Sequence, residues 1–162
     1  MATLCVVLAG CSDTGSPDEG PAPTDEASAV AADGFRQELG RVTTEYADRA
    51  GVLQAELAAI DATDETRLLE VVEALEGTAV ASRAAFADLA IPAPVSAEMT
   101  LVLQLLDDQA NALEELARSV RERDTETFRA ATDELIAIAQ RSIQARQRLD
   151  LALASCGTAC GP

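Results

Sequence analysis

Between Gly34 and Ala154 the apolar residues recur alternately three and four positions apart, in four successive runs. That spacing lines them up along one stripe of an α-helix. The first run, Phe35, Leu39, Val42, Tyr46, Ala50, Leu53, Leu57 and Ile60, predicts a helix over 34–60. Asp61-Ala62-Thr63-Asp64 then offers turn and N-cap residues. The second run, Leu68, Val72, Leu75, Ala79, Ser82, Phe86 and Leu89, predicts a helix over 64–90 that stops at Ile91-Pro92-Ala93-Pro94. The third carries Met99, Leu103, Leu106, Ala110, Leu113, Ala117 and Val120 over 96–122. Ser96 stands where its N-cap belongs, and Glu98 lies in the first turn, where the helix dipole favours an acid. The fourth carries Phe128, Ala131, Leu135, Ile138, Ser142, Ala145, Leu149 and Ala152 over 125–155, with Asp124 as N-cap. Arg141, Arg146 and Arg148 occupy its later turns, the sign suited to a helix C-terminus.

Helices of about 26 to 30 residues are each roughly 40 Å long at 1.5 Å per residue. Equal lengths joined by short links make neighbours antiparallel, so the expected fold is all-α, an up-down-up-down four-helix bundle. The same pattern also suits a pair of helical hairpins that complete their core only in a dimer. Composition agrees with helix. The chain is 48% hydrophobic but only 2% aromatic, so its core is built from Leu, Val, Ile and much Ala. At 162 residues it holds one domain.

Charge narrows the function classes. Acids number 28 against 12 basic residues, all of them Arg, for a net charge of −16. Such a surface repels phosphate backbones and anionic headgroups, which argues against nucleic-acid binding and against membrane association through surface charge. The chain has no His, which excludes a His general base, a His-dependent triad and the Glu-x-x-His pairs of di-iron bundles. It has no Trp either, so an aromatic cage is not expected.

Several polar residues within the bundle invite a closer look. Glu45–Arg49 and Glu114–Arg118 stand four apart with the acid first, worth a few tenths of a kcal/mol each. Glu70, Glu73, Glu76 and Asp107-Asp108 could supply hard-cation ligands, but no Gly-containing loop collects their oxygens, and a solvated face is the plainer reading. Ser82 and Ser142 interrupt the stripes and are expected to bond back to the preceding turn. Tyr46, the single Tyr, should bury its ring and send its hydroxyl to a polar neighbour or the rim.

The first 33 residues read differently. Residues 3–10 are apolar but far shorter than the roughly 20 residues of a transmembrane helix. They end in Leu8-Ala9-Gly10-Cys11, with small residues where a processing site needs them. This four-residue pattern resembles the lipobox of the bacterial lipoprotein family. The resemblance implies a signal peptide over 1–10, cleavage between Gly10 and Cys11, and diacylglycerol attached to the Cys11 sulfur. No Arg or Lys precedes Cys11, contrary to a signal's usual positive start, and the apolar run is short. A translation start upstream of Met1 would account for both; the alternative is a buried N-terminal strand or helix segment. Residues 11–33, rich in Pro, Gly, Ser and acid, read as a disordered tether. As a random coil it would span on the order of 25 Å.

The chain ends in a seven-residue tail over 156–162, Cys156-Gly157-Thr158-Ala159-Cys160-Gly161-Pro162. In an exported protein Cys156 and Cys160 read first as a local disulfide, with Gly157 turning the chain at the helix end. The other reading is a redox or metal-binding dithiol, for which no second pair and no His is present. Cys5 lies within the signal and leaves with it.

Taken together these features predict a membrane-anchored extracytoplasmic lipoprotein on the outer face of the cell membrane. It is expected to be non-enzymatic, without cofactor or metal, and to act through protein or envelope contacts. Its domain loosely resembles uncharacterised helical secreted lipoproteins of high-GC Gram-positive bacteria. A ligand- or metal-binding extracytoplasmic bundle is the alternative, and it would require inward-facing carboxylates or a cavity. An enzyme ranks below both.

Overall fold

Aspartates set two of the helix starts. The Asp64 carboxylate accepts the Arg67 backbone N–H at 3.0 Å, and its carbonyl takes the first helical bond from Leu68. Asp124 does the same for the last helix, accepting from the N–H groups of Glu126 at 3.0 Å and Thr127 at 3.1 Å. Both satisfy donors that a helix N-terminus otherwise leaves unpaired. In the computed structural model, which describes residues 23–61 and 63–158, the helices are α1 (Pro23–Ala59), α2 (Glu65–Ala87), α3 (Ser96–Glu122) and α4 (Thr125–Thr158). A single 3₁₀ turn, Ala93–Val95, stands between α2 and α3. Among the described residues there is no strand. The expected all-α, up-down-up-down four-helix bundle is what the chain forms.

Four boundaries differ from the pattern-based expectation. α1 starts at Pro23 rather than Gly34, so the second half of the expected tether is helical. Proline is preorganised for a first helical turn, and Ala, frequent in this stretch, is the best helix former. α2 ends at Ala87, earlier than expected: Asp88 closes it by donating its N–H to the Ala84 carbonyl, and Pro92 follows. Ser96 is not an N-cap. That position falls to Val95, which makes no side-chain cap, while Ser96 begins the helix and its hydroxyl donates to the Ala93 carbonyl. α4 runs through Gly157 to Thr158, so Gly157 does not turn the chain out of the helix. Cys5, the lipobox residues Leu8 to Cys11 and Cys160 lie outside the described residues. So does the first half of the tether, and so does any pairing of Cys156 with Cys160.

Two apolar clusters make the core. Toward the end that holds the α2–α3 link, Phe35, Val42 and Tyr46 of α1 meet Phe86, Val95, Met99, Leu106 and Leu149. Toward the other end, Val71, Val72 and Leu75 of α2 meet Leu113 and Leu116 of α3 and Leu135 and Ile138 of α4. Met99, Val72 and Ile138 are almost wholly enclosed, each worth about 1.5–3 kcal/mol in burial. The stripe misjudges the ends of α3 and α4. Phe128, assigned to the core, is 37% exposed, while Leu105, Ala112, Leu116 and Ser119 are buried although they lie off the α3 stripe. α3 packs closely on both α2 and α4, so it buries a wider face than one stripe supplies.

The antiparallel order shows in side-chain contacts between opposite ends of the helices. Arg36, early in α1, donates from Nη2 to the Leu153 carbonyl, late in α4, at 2.7 Å. Arg123, just beyond α3, reaches Glu65 at the start of α2 at 3.2 Å. The α1/α2, α2/α3 and α3/α4 seams are close; α1 and α4 stand further apart along their shared side. Among the described residues no helix is long and apolar enough to cross a membrane.

Candidate functional site

Most of the carboxylates that could supply hard-cation ligands meet arginines instead. Glu70 pairs with Arg67, Glu73 with Arg121, Asp107 with Arg83 at 3.1 Å, and Asp108 with Arg141 at 3.3 Å. The last three join different helices, as does Arg67 with Glu56 across α2 and α1. The charged residues therefore lace the seams from outside. All sit well exposed to water, so each pair contributes roughly 0–1 kcal/mol. Among the described residues no three His, Cys, Asp or Glu side chains converge as a metal site would require.

The pairings along single helices also differ from expectation. Glu45 takes Arg41 as its partner, at 2.7 Å, rather than Arg49. Arg118 pairs with Glu115, one residue on from the expected Glu114. Separations of three and four are both neighbours on a helix, and competing partners decide between them. Arg41 is held between Glu38 and Glu45, whose hydrogen bonds push its pKa up.

The polar residues on or near the core behave as helix packing demands. Tyr46 is 4% exposed, and its hydroxyl donates to Gln109 Oε1 of α3 at 2.8 Å, a tie across the diagonal of the bundle. Burial pushes the phenol pKa up. Ser142 bonds back to the Ile138 carbonyl at 2.9 Å, as expected of a serine on the stripe. Ser82 is buried, but among the described residues no such bond forms from it. Ser119, which the periodicity does not single out, is 2% exposed and donates to the Leu116 carbonyl at 2.7 Å.

An open groove of about 390 Å³ lies between α3 and α4. Ala112, Ala130 and Ala131 line it together with Asp108, Asn111, Glu115, Thr127 and Glu134. Its acids already have cations. Arg141 spans Asp108 and Glu134, and Arg118 meets Glu115. Glu98, in the first turn of α3, has one buried carboxylate oxygen with no hydrogen-bond partner among the described residues. The positive end of the helix dipole favours its charge there.

No family model matches the chain, and neither curated proteins nor solved structures yield a match. Functional argument therefore rests on the residues themselves. Sequence reasoning placed Tyr46 correctly but did not find Gln109. A polar residue between Leu106 and Leu113, three places past one and four before the other, was the available signal. Asp124, the N-cap of α4, and Asp61, in the turn between α1 and α2, are the other perturbed groups. Thr127, through its hydroxyl and then its N–H, holds the Asp124 carboxyl below the usual range, and Thr63, through its N–H and then its hydroxyl, does the same for Asp61. These shifts belong to helix ends and turns, where a carboxylate accepts several hydrogen bonds at once.

Proposed function

We propose that the chain is an extracytoplasmic lipoprotein, anchored by a lipid on Cys11 to the outer face of the cell membrane, and that it works through contacts rather than catalysis. The observation that carries this reading is Leu8-Ala9-Gly10-Cys11 directly behind an apolar run. Support comes from the segment that follows, whose Pro, Gly, Ser and acid content suits a tether. The net charge of −16 adds a reason for an anchor, because an anionic leaflet repels this surface. The non-enzymatic half of the reading is supported by the Arg partners of the acids, which commit those carboxylates to holding helices together.

With α1 starting at Pro23, the tether in this reading runs only from Ser12 to Ala22. Fully extended it reaches about 37 Å, and its random-coil average is roughly 18 Å. The bundle is then held close to the bilayer by the start of α1, with the α1–α2 and α3–α4 links turned outward. In the oxidising exterior, Cys156 and Cys160 form a local disulfide that stops the end of α4 from fraying. A protein partner in the envelope is the expected target.

Intact-mass analysis of the membrane fraction tests the reading. The expected species begins at Cys11, carries a diacylglycerol increment, and lacks two hydrogens at the cysteine pair. A soluble protein with an unmodified Cys11 refutes the anchor. Affinity capture from solubilised envelope, with the lipidated chain as bait, addresses the partner.

A further inference from the structure

The two core clusters draw on α1 unequally. The buried members of the cluster nearer the α3–α4 link, among them Val72, Leu75, Leu113, Leu116, Leu135 and Ile138, all belong to α2, α3 and α4. α1 adds only Leu53, Leu57 and Ile60 at its edge, each partly exposed. Among the described residues, the buried side chains of α1 are Phe35, Val42, Tyr46 and Ala50, and all four sit in the other cluster. The three helices α2, α3 and α4 thus keep one core cluster whose buried residues are entirely their own.

α1 is also lightly held and a poor helix by itself. Of the three close seams, its seam with α2 is the lightest, and α4 stands away from it. Gly34, Gly40 and Gly51 lie within it, and a Cβ added at any of them would meet nothing within 4 Å. Each lowers helix formation about fivefold against Ala, so together they weaken α1 on the order of a hundredfold. By contrast α3 contains no glycine, and α2 only Gly77. The polar ties of α1 to the other helices are Tyr46 to Gln109, Arg36 to the Leu153 carbonyl, and Glu56 to Arg67. The first two are single hydrogen bonds and the third is a partly exposed ion pair, so each holds only modestly.

We infer that α1 is a detachable arm. It leaves the α2–α3–α4 body as one unit, at lower cost than the body's own unfolding, and uncovers the apolar residues Phe86, Met99, Leu106 and Leu149 that it packs against. Once released, α1 melts, because its glycines favour the coil, and the entropy it regains lowers the cost of opening. The body meanwhile keeps its own cluster closed, so α1 can return to the same seat. The opening needs neither lipid nor partner, and it holds for the unlipidated chain whether or not Cys11 is an anchor.

Native-state hydrogen exchange tests the opening, read by mass spectrometry on the full, unlipidated chain at urea concentrations below the unfolding transition. Amides from Val42 to Leu57 should exchange together, about tenfold or more faster than those around Val72, Leu113 and Leu135. Their rate should climb with urea, but less steeply than the body's, because the opening exposes less surface than global unfolding. Leu116→Val separates the two events, since Leu116 lies on α3, diagonal to α1, in the cluster with no buried α1 residue. Losing one buried methylene should speed exchange in the body about fourfold and leave α1 unchanged. A single rate ceiling for all four helices overturns the inference, as does a segment of the body that opens before α1. So does α1 exchange that ignores urea, which is fraying, or that accelerates with the body in Leu116→Val.

Discussion

Removing the Tyr46 hydroxyl offers the sharpest test of how the bundle is held across its diagonal. Tyr46→Phe keeps the ring, which is 4% exposed among Phe35, Phe86, Met99 and Leu106, and deletes only the bond to Gln109 Oε1 at 2.8 Å. An intramolecular hydrogen bond contributes about 0.5–1.5 kcal/mol net, and stranding a buried partner costs about 1–3 kcal/mol. Gln109 is only partly buried, so water can reach its freed oxygen in part, and the loss should fall near the lower figure. The expected destabilisation is about 1–1.5 kcal/mol, a fall in Tm of roughly 3–8 °C for a domain of this size. Gln109→Leu should cost a similar amount by stranding the phenol. The double variant should cost less than the two singles summed, with a coupling of about 1 kcal/mol, because no polar atom is then left alone. Urea unfolding followed by circular dichroism supplies all four corners of the cycle. Additive effects, or a neutral Tyr46→Phe, would show that the hydroxyl is solvated and the diagonal contact idle.

Four further predictions concern the helix ends, the buried phenol and the backbone. Asp64→Ala should lower stability by about 1 kcal/mol through loss of the α2 cap, read by the same urea melts. The carboxyls of Asp61 and Asp124 are held below their ordinary pKa, so their contribution is present above the unfolded-state value and is lost as pH falls through the folded-state one. Acid melts should therefore steepen below the usual carboxylate range, and Asp124→Asn should blunt that dependence. For Tyr46 the sign reverses: its pKa is raised by burial, so stability is full below the usual phenol value and falls as pH climbs through the raised one. Absorbance titration at alkaline pH should show phenolate appearing together with unfolding. Gly77→Ala should raise the unfolding free energy by about 0.5–1 kcal/mol in the same urea melts, because nothing lies within 4 Å of the added Cβ and the residue is helical.

How far the sequence reaches can be judged residue by residue. Phe35, Val42, Tyr46 and Ala50 in α1, and Val72, Leu75, Ala79 and Phe86 in α2, were all legible as core from their spacing, and all are buried. Asp64 and Asp124 were legible as caps because the interaction that makes a cap spans only three residues. These are local facts, governed by the helical repeat and by backbone donors close in the chain. Leu105, Ala112 and Ser119 were not legible, since their burial depends on α3 standing between two neighbours. Nor were the partners of Arg67, Arg83, Arg121 and Arg141: each carboxylate they meet across a seam competes with others on the same helix, and only the relative height of two helices selects among them.

For the candidate site the division is the same. The sequence by itself determined the helix count, the aspartate caps of α2 and α4, the buried phenol of Tyr46 and the excess of acid, all of which depend on composition or on neighbours within a turn. Only the tertiary structure decided that Tyr46 meets Gln109, that Glu56, Glu73, Asp107 and Asp108 face arginines of a neighbouring helix, and that α1 and α4 stand apart. Those outcomes depend on how four stiff rods of unequal length settle against one another. Apolar periodicity points each rod's face inward, but leaves rotation, height and spacing to packing.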